Sequence, residues 1–409
     1  MAGHKTASEI QALHRTKPRP AIPRTIWVLG FVSLFMDLSS ELVHSLMPVF
    51  LVGTLGASVM TVGVIEGIAE ATALIVKVFS GAISDFVGRR KGLMLLGYGL
   101  AALTKPLFPL ATSVDTVFVA RFLDRIGKGI RGAPRDALVA DVAPVAIRGA
   151  CFGLRQSMDT VGAFLGPALA IGLMIAFNGN IQGVLWVAVL PAAVCVALIV
   201  FGIHEPKHDP IHHRFRAPID LNVLRRFSGA YWGVVAIGAL FTLARFSEAF
   251  LILRAQQTGF SVNWVPMVMV VMALFYMLSA YPVGHWSDRV SRRALLSMGL
   301  VLLIVADLVL ARADSVAMTI VGVALWGLHM GFSQGLLAAM LADTAPSELK
   351  GSAFGVFNLV SGLSMLVASV LAGWLWQVYS ATVTFYAGAA ISALALLLLL
   401  FRRPKGDGL

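Results

Sequence analysis

Acidic and histidine side chains recur at helical spacing in two apolar segments near the start of the chain. Asp37, Glu41 and His44 stand at positions i, i+4 and i+7 of the first segment, which places them on one face of a helix. Glu66 and Glu70 share a face in the second segment. Carboxylates and imidazoles can exchange protons or bind cations, so we expect Asp37 and Glu41 to be the main proton or cation carriers.

Charged residues also run along the fourth apolar segment, where Arg121, Asp124 and Arg125 lie deepest, and Arg155 and Asp159 follow in the fifth. A charged side chain at the centre of a membrane helix costs about 2.5–3.5 kcal/mol on insertion scales, so each one needs a partner, a cavity or a task. Apart from Asp115 at the edge of the fourth segment, basic and acidic residues are equal in number in the first six segments, which predicts networks of ion pairs. The basic residues are Lys77, Lys105, Arg121, Arg125, Lys128, Arg131, Arg135 and Arg155, and the acidic ones are Asp37, Glu41, Glu66, Glu70, Asp124, Asp136, Asp141 and Asp159.

The second half of the chain has fewer such charges, so we expect proton coupling to depend mainly on the first half. Arg245 and Glu248 share a face of the seventh segment and could form a local pair. His329, in the tenth segment, could line a cavity from the second half. For His44 and His329 the common alternative is a packed or hydrogen-bonded histidine with no functional role.

The composition indicates which elements hold these residues. Of the 409 residues, 58% are hydrophobic and only 13% are charged, and the mean hydropathy is +0.83. A soluble chain averages about 25% charged residues, so this composition excludes a soluble enzyme, a disordered protein and a disulfide scaffold. It predicts a protein that crosses a membrane many times.

Apolar runs of about 20 residues, the length needed to cross a membrane, follow one another along the chain. They cover 26–52, 60–84, 93–111, 115–141, 150–177, 181–203, 229–255, 262–286, 294–312, 315–343, 351–378 and 381–401. We therefore predict an all-α membrane protein with twelve transmembrane helices in two six-helix bundles, 26–203 and 229–402. A tail (1–25), a linker (204–228) and a second tail (403–409) complete the chain.

Lysine and arginine indicate the orientation, because cytoplasmic loops carry an excess of both. The N-terminal tail, the linker and the loops on their side of the membrane hold most of the 32 basic residues. Both termini are therefore expected in the cytoplasm, and the net charge of +11 reflects topology and not nucleic-acid binding. His208, His212 and His213 in the linker could suggest a metal site, but a solvated basic linker is the simpler interpretation, and we expect no metal.

One sequence pattern occurs in both halves. Its first copy is Gly81-x-x-x-Asp85-x-x-Gly88-Arg89-Arg90, and its second is Gly284-x-x-x-Asp288-Arg289-x-x-Arg292-Arg293. Ala140–Pro144 and Ala342–Pro346 form another matched pair at nearly the same separation. Two similar halves related by an axis along the membrane normal are typical of a transporter.

The chain resembles the major facilitator superfamily over essentially its whole length. The stretch from Gly81 to Arg90 matches the signature of that family between helices 2 and 3. Arg121, followed by Gly127 and Gly129, resembles its helix-4 motif, and the surrounding stretch resembles a prokaryotic branch of the family. Gly162-x-x-x-Gly166-Pro167 resembles a pattern of its exporters, although Ala170 replaces a further glycine.

The resemblance implies that the repeated Gly/Asp/Arg signature is a conformational latch that favours an outward-facing state. The latch residues would be Gly81, Asp85, Gly88, Arg89, Arg90, Gly284, Asp288 and Arg292. The alternative is that the arginines only set topology. Gly162, Gly166 and Pro167 would lie at the interface between the two halves and allow them to rock.

Taken together, these features predict a secondary active transporter that works by alternating access, in a cell inner membrane. The exporter-like pattern and the carboxylates favour proton-coupled export of a small organic or cationic solute. The alternatives are proton-coupled symport of an anionic metabolite, lipid or lysolipid flipping, and a receptor that transports nothing. The expected partners are a small-molecule substrate, protons and the bilayer, without cofactor or nucleic acid. We expect a monomer and no enzymatic activity, because no nucleophile, metal or phosphate motif has supporting context.

Overall fold

A computed structural model describes residues 20–205, 221–287, 289–346 and 349–401. Within these ranges the chain forms twelve long helices, some of them interrupted, and no strand. Eleven of these helices are long and apolar enough to cross a membrane by themselves. The exception is the fourth helix, because its stripe of charged residues makes it less apolar. The predicted all-α membrane fold is confirmed.

Six helices form the first half of the chain. They are α1 (Arg24–Val49), α2 (Val59–Val87), α3 (Arg90–Thr104), α4 (Val114–Val142), α5 (Arg148–Ala176) and α6, which is split into Ile181–Val187 and Val189–Ala197. Short helical turns accompany them at Phe50–Thr54, Leu107–Leu110, Val145–Ile147 and Leu198–Gly202. Serine residues cap the N-termini of α2 and α4. The hydroxyls of Ser58 and Ser113 accept hydrogen bonds from the backbone N–H groups of Thr61 and Thr116 at 3.1 and 3.3 Å.

Six further helices form the second half. They are α7, split into α7a (Gly229–Ala244) and α7b (Ala249–Gln257), α8 (Met267–Trp286), α9 (Arg292–Arg312), α10, split into α10a (Val316–Gly331) and α10b (Gln334–Thr344), α11 (Lys350–Val378) and α12 (Ala381–Phe401). Leu221–Leu224 precedes α7a, and Val262–Trp264 precedes α8. The hydroxyl of Ser228 caps α7a by accepting the backbone N–H of Tyr231 at 3.2 Å.

The predicted span 229–255 is broken in the middle. Residues Arg245 to Glu248 separate α7a from α7b. Phe246, inside the break, packs against other aromatic side chains of the second half. Its ring centroid lies 5.4 Å from those of Phe250, Trp326 and Phe385. The break therefore gives Arg245 and Glu248 backbone positions that a continuous helix would not provide.

The predicted span 315–343 is also broken, at Phe332 and Ser333. The hydroxyl of Ser333 donates to the backbone carbonyl of His329 at 2.9 Å. Backbone groups freed within a membrane need such partners, because lipid provides none. A polar residue next to the break thus makes the interruption tolerable.

The two halves repeat one packing pattern. In the first half α1 packs on α5, α2 on α4 and α3 on α4; in the second, α7 packs on α11, α8 on α10 and α9 on α10. The contacts between the halves are equivalent too, since α2 packs on α11 and α8 packs on α5. This pseudo-symmetry is what the sequence repeat predicted. The bundle boundaries 26–203 and 229–402 stay a prediction.

The halves meet at one end of the molecule. We call the end where α1 begins, α6 finishes and α12 finishes the linker side, and the opposite end the far side. The largest apolar cluster lies toward the far side and joins both halves through residues such as Phe50, Phe250 and Trp376. The clusters nearer the linker side each stay within one half. Packing therefore closes the far side between the halves.

Small residues make this closure tight. A Cβ added at Gly63 on α2 would lie 2.4 Å from the backbone oxygen of Ser369 on α11. One added at Gly373 would lie 3.0 Å from the Cα of Met60. Only small residues allow two membrane helices to approach this closely.

Candidate functional site

The centre of the first half contains a buried ion pair between α2 and α4. Arg121 donates two hydrogen bonds to Glu66, from Nε at 3.1 Å and from Nη2 at 2.7 Å. Arg125, one turn further along α4, pairs with Glu70 through Nη1 at 3.2 Å. Two glutamates on successive turns of α2 thus neutralise two arginines on successive turns of α4, in agreement with the ion-pair networks predicted from the balance of charges.

His44 connects this pair to α1. Its Nδ1 lies 3.3 Å from Oε2 of Glu41, and its Nε2 lies 3.7 Å from Oε2 of Glu66. The imidazole is only 6% exposed. Glu41, His44 and Glu66 form a chain of ionisable groups leading from α1 to Arg121. We call the set Glu41, His44, Glu66, Glu70, Arg121 and Arg125 the acid–base network.

A second buried pair extends the network toward α3. Nζ of Lys105 donates to Oδ1 of Asp124 at 2.9 Å and to the hydroxyl of Ser40 at 3.1 Å. Lys105 and Asp124 are 1% and 2% exposed. Sequence reasoning selected Asp124 as a site residue but not Lys105. The only available signal was that a lysine within an apolar span needs a partner.

A separate cluster lies closer to the linker side. Arg135 contacts Asp136 at 3.2 Å and Asp159 at 3.4 Å, and Arg155 lies 3.7 Å from each of these carboxylates. Asp37 neighbours Asp159 here. The structure therefore groups Asp37 with the linker-side cluster, one turn of α1 away from the acid–base network.

Two predictions for the second half are wrong. Arg245 and Glu248 form no ion pair within 4.0 Å in the described part of the chain, because the break in α7 removes the helical spacing that would bring them together. His329 does not line the cavity described below; it is fully buried and stacks on Phe241 at 5.2 Å, beside Trp326. The packed histidine, considered as the alternative, is what the structure contains.

A cavity of about 230 Å³ lies between the halves. Its first-half wall consists of Glu41, His44, Glu70, Arg125, Lys128 and Ala163. Its second-half wall consists of Glu248, Met269, Met272, Ala273, Tyr276 and Met330. Part of the acid–base network therefore borders this space directly. The methionines carried no chemical signal in the sequence, and Lys128 was not selected there although it lies on the charged stripe of α4.

The family model described as Major Facilitator Superfamily matches residues 29–261 and 234–408. The chain belongs to the major facilitator superfamily. An uncharacterised transporter of this type from Methanocaldococcus jannaschii is 30% identical over 386 residues, which cover 93% of this chain and 95% of the relative. A multidrug resistance protein of Klebsiella pneumoniae is 24% identical over 327 residues, covering 79% and 80% of the two chains.

Solved structures support the same fold. A crystallised POT family transporter matches this major facilitator chain with a TM-score of 0.79 at 14% identity, covering 94% of this chain and 96% of the other. The chain is thus a multi-pass membrane transporter, and its family is one of transporters and not of enzymes. The resemblance seen in the sequence is confirmed.

The charged residues of the superfamily signature after α2 make polar contacts within the first half and with Glu205, which follows α6. Gly88 ends α2 with a φ of 65°, a left-handed conformation that favours glycine. Nη1 of Arg90 donates to Asp85 at 3.0 Å, and the backbone N–H of Arg90 donates to Glu205. The side chain of Asp85 is 74% exposed. In this conformation the ion pairs of Asp85 and Arg90 among the described residues stay within the first half.

The remaining latch residues are less tightly held. Arg89 is exposed at the start of α3, and a Cβ at Gly81 or Gly284 would meet at most an ordinary contact. Arg292 pairs with Asp343 at the linker side of the second half, as Arg90 approaches Asp141 in the first. Asp288 lies outside the described residues, as do His208, His212 and His213 of the linker.

The exporter-like glycines lie elsewhere than predicted. A Cβ at Gly162 would lie 2.4 Å from the backbone oxygen of Leu34, and one at Gly166 would lie 2.8 Å from that of Leu38. Both contacts join α5 to α1 within the first half, and Pro167 is buried beside them. Placing them between the halves was wrong, because the helix phase of α5 turns these residues toward α1. The close contacts between halves come from Gly63, Gly67 and Gly373 instead.

Proposed function

We propose that the chain is a secondary active transporter that works by alternating access and exports a small organic or cationic solute in exchange for protons. The observation that carries this proposal is the position of the acid–base network beside the cavity between the halves. Carboxylates and imidazoles exchange protons reversibly. A proton and a solute can therefore compete for the same charged groups, which is the requirement for exchange.

The orientation follows from the basic loops. The linker side is cytoplasmic, with both termini, in a cell inner membrane, and the transporter acts as a monomer. Closure of the far side then corresponds to an inward-facing conformation, which receives solute from the cytoplasm. The exposed Asp85 fits this conformation, since the signature is expected to latch the outward-facing one.

The contacts weigh against symport of an anionic metabolite. That alternative depends on Arg121, Arg125, Arg155 and Arg245 as anion-binding residues, but of these only Arg125 lines the cavity, and Arg121 and Arg155 are already within 4.0 Å of carboxylates. Lipid flipping would need an apolar path, whereas one wall of this cavity is charged. The likeness to a multidrug resistance protein adds support for export.

Proton movement in proteoliposomes tests this proposal. The vesicles contain pyranine, a trapped pH indicator, and ethidium or L-alanyl-L-phenylalanine is added outside. An exchanger moves protons out as solute enters, so the luminal pH rises. A fall in luminal pH would identify a symporter, and radiolabel uptake without a pH change would identify uncoupled transport; both outcomes contradict the proposal. Glu41→Gln should abolish the pH change, whereas Asp115→Asn, an exposed carboxylate outside the cavity, should not.

A further inference from the structure

The two walls of the cavity differ in chemistry. The first-half wall is charged, and the second-half wall is mainly methionine, alanine and tyrosine around one carboxylate, Glu248. A solute bound between them contacts both at once. The charged side chains that have no protein partner therefore determine which charged groups a bound solute can carry.

On the first-half wall, most of the charged side chains are already paired with one another. Glu41 contacts His44 at 3.3 Å, and Glu70 contacts Arg125 at 3.2 Å. Lys128 is exposed, and no carboxylate of the described residues lies within 4.0 Å of its ammonium group. Arg125 also has two buried nitrogens without a hydrogen-bond partner in the same part of the chain; Nε lies 3.9 Å from Oδ2 of Asp124, and Nη2 has no partner. This wall can therefore accept an anionic group.

On the opposite wall, Glu248 lies at the break between α7a and α7b. It is half-buried, and no lysine, arginine or histidine among the described residues lies within 4.0 Å of its carboxylate. Arg245, the cation nearest in sequence, does not line the cavity. A half-buried carboxylate without a partner is a binding group for a cation.

Methionines fill the space around Glu248. Met269 and Met272 come from α8, and Met330 comes from α10a. Unbranched thioether side chains adapt to apolar groups of various shapes. The second-half wall therefore fits an apolar body next to the cationic group of the solute.

We infer that the cavity binds a zwitterion with an apolar body, such as a hydrophobic amino acid or short peptide. Its anionic group lies at Lys128 and Arg125, and its cationic group lies at Glu248. This inference rests on the proposed function in that it names the class of solute exchanged. The two walls present opposite charges to the solute, and neither a simple cation nor a simple anion can pair with both.

Calorimetric binding to the purified full chain tests the inference with matched probes. L-Phenylalanine, phenethylamine and 3-phenylpropanoate share one apolar group and are a zwitterion, a cation and an anion. L-Alanyl-L-phenylalanine, with its analogues lacking the amino or the carboxyl group, repeats the comparison at a wider charge separation. In at least one series the zwitterion should bind about tenfold or more tightly than both analogues, since each charged contact contributes that much.

Two variants assign the charges. Lys128→Gln should lower the affinity for the zwitterion to that of the cationic analogue, and Glu248→Gln should lower it to that of the anionic analogue. Lys350→Gln and Asp314→Asn, at exposed positions outside the cavity, should change nothing. Unchanged melting temperatures would show that all four variants fold.

The inference is overturned if a single-charge analogue binds as tightly as the zwitterion in both series, or if neither variant changes the order of affinities. Because binding is measured without a membrane gradient, these results do not depend on proton coupling. A failed exchange assay with intact zwitterion binding would contradict only the proposed function, and the reverse result would contradict only the inference.

Discussion

Arg121 and Glu66 form a two-point ion pair at the centre of the first half, with each side chain only 1% exposed. A guanidinium and a carboxylate in this arrangement satisfy each other in a place where water cannot. Removing one partner leaves the other charge buried and unpaired, which costs far more than the net contribution of the intact pair.

We therefore expect Glu66→Gln to destabilise the protein by about 3–5 kcal/mol, measured by thermal melting in detergent. Glu70→Gln is the matched control, because Glu70 is 25% exposed and its partner Arg125 also lies 3.9 Å from the carboxylate of Asp124. Its effect should be clearly smaller. Equal losses would show that burial does not decide the contribution of these carboxylates.

Variants of the Lys105–Asp124 pair can distinguish a role in stability from a role in transport. Either Lys105→Met or Asp124→Leu alone should lower the melting temperature strongly, since one buried charge then has no partner. The double variant, which replaces both with apolar residues, should regain most of the stability. Exchange of protons for solute, measured in proteoliposomes, should still be lost if Asp124 takes part in coupling. A stable double variant with normal exchange would make the pair purely structural.

The latch signature predicts an effect on transport without an effect on folding. Asp85 is largely exposed in the observed conformation, so Asp85→Asn should leave expression and melting temperature nearly unchanged. Transport should fall sharply, because the opposite conformation loses its latch. Asp115→Asn, on the far side at the start of α4, serves as the control. Normal transport by Asp85→Asn would leave the arginines with a topological role only.

Closure of the far side depends on Gly63. Gly63→Ala places a methyl group against the backbone oxygen of Ser369, and such overpacking typically costs about 1–3 kcal/mol. The equilibrium should shift about tenfold toward a conformation that is open on the far side. A cysteine replacing the buried Ala372 on α11 should then react faster with a hydrophilic maleimide. Gly92→Ala, which has open space around it, should not change this rate.

Sequence periodicity predicted much of the fold and the correct faces of several helices. The spacing of Glu66 and Glu70 placed both on one face of α2, which in the structure meets the arginines of α4, and Glu41 and His44 are neighbours as expected. The repeat predicted equivalent packing of the halves, because both copies preserve the same residues at the same linker-side turns. In long apolar helices the spacing of the few charged residues determines which of them share a face.

Contacts that depend on three-dimensional neighbours could not be predicted. Helix phase indicates which way Gly162 faces relative to its own helix but not that α1 is the helix it meets. Lys105 follows α3 and precedes a short turn that begins at Leu107, so its direction had no regular period to follow. The break at Arg245 invalidated the spacing argument for Glu248, and Met269 has no chemistry that distinguishes a cavity wall from lipid contact.

The charge of α4 also has a consequence for biogenesis. This helix alone among the described long helices lacks the apolarity to cross the membrane unaided. It emerges from the ribosome after α2, which holds Glu66 and Glu70, and after Lys105, which follows α3; these groups neutralise Arg121, Arg125 and Asp124. We therefore expect its entry into the bilayer to be cooperative, with the helices synthesised first stabilising the one that follows.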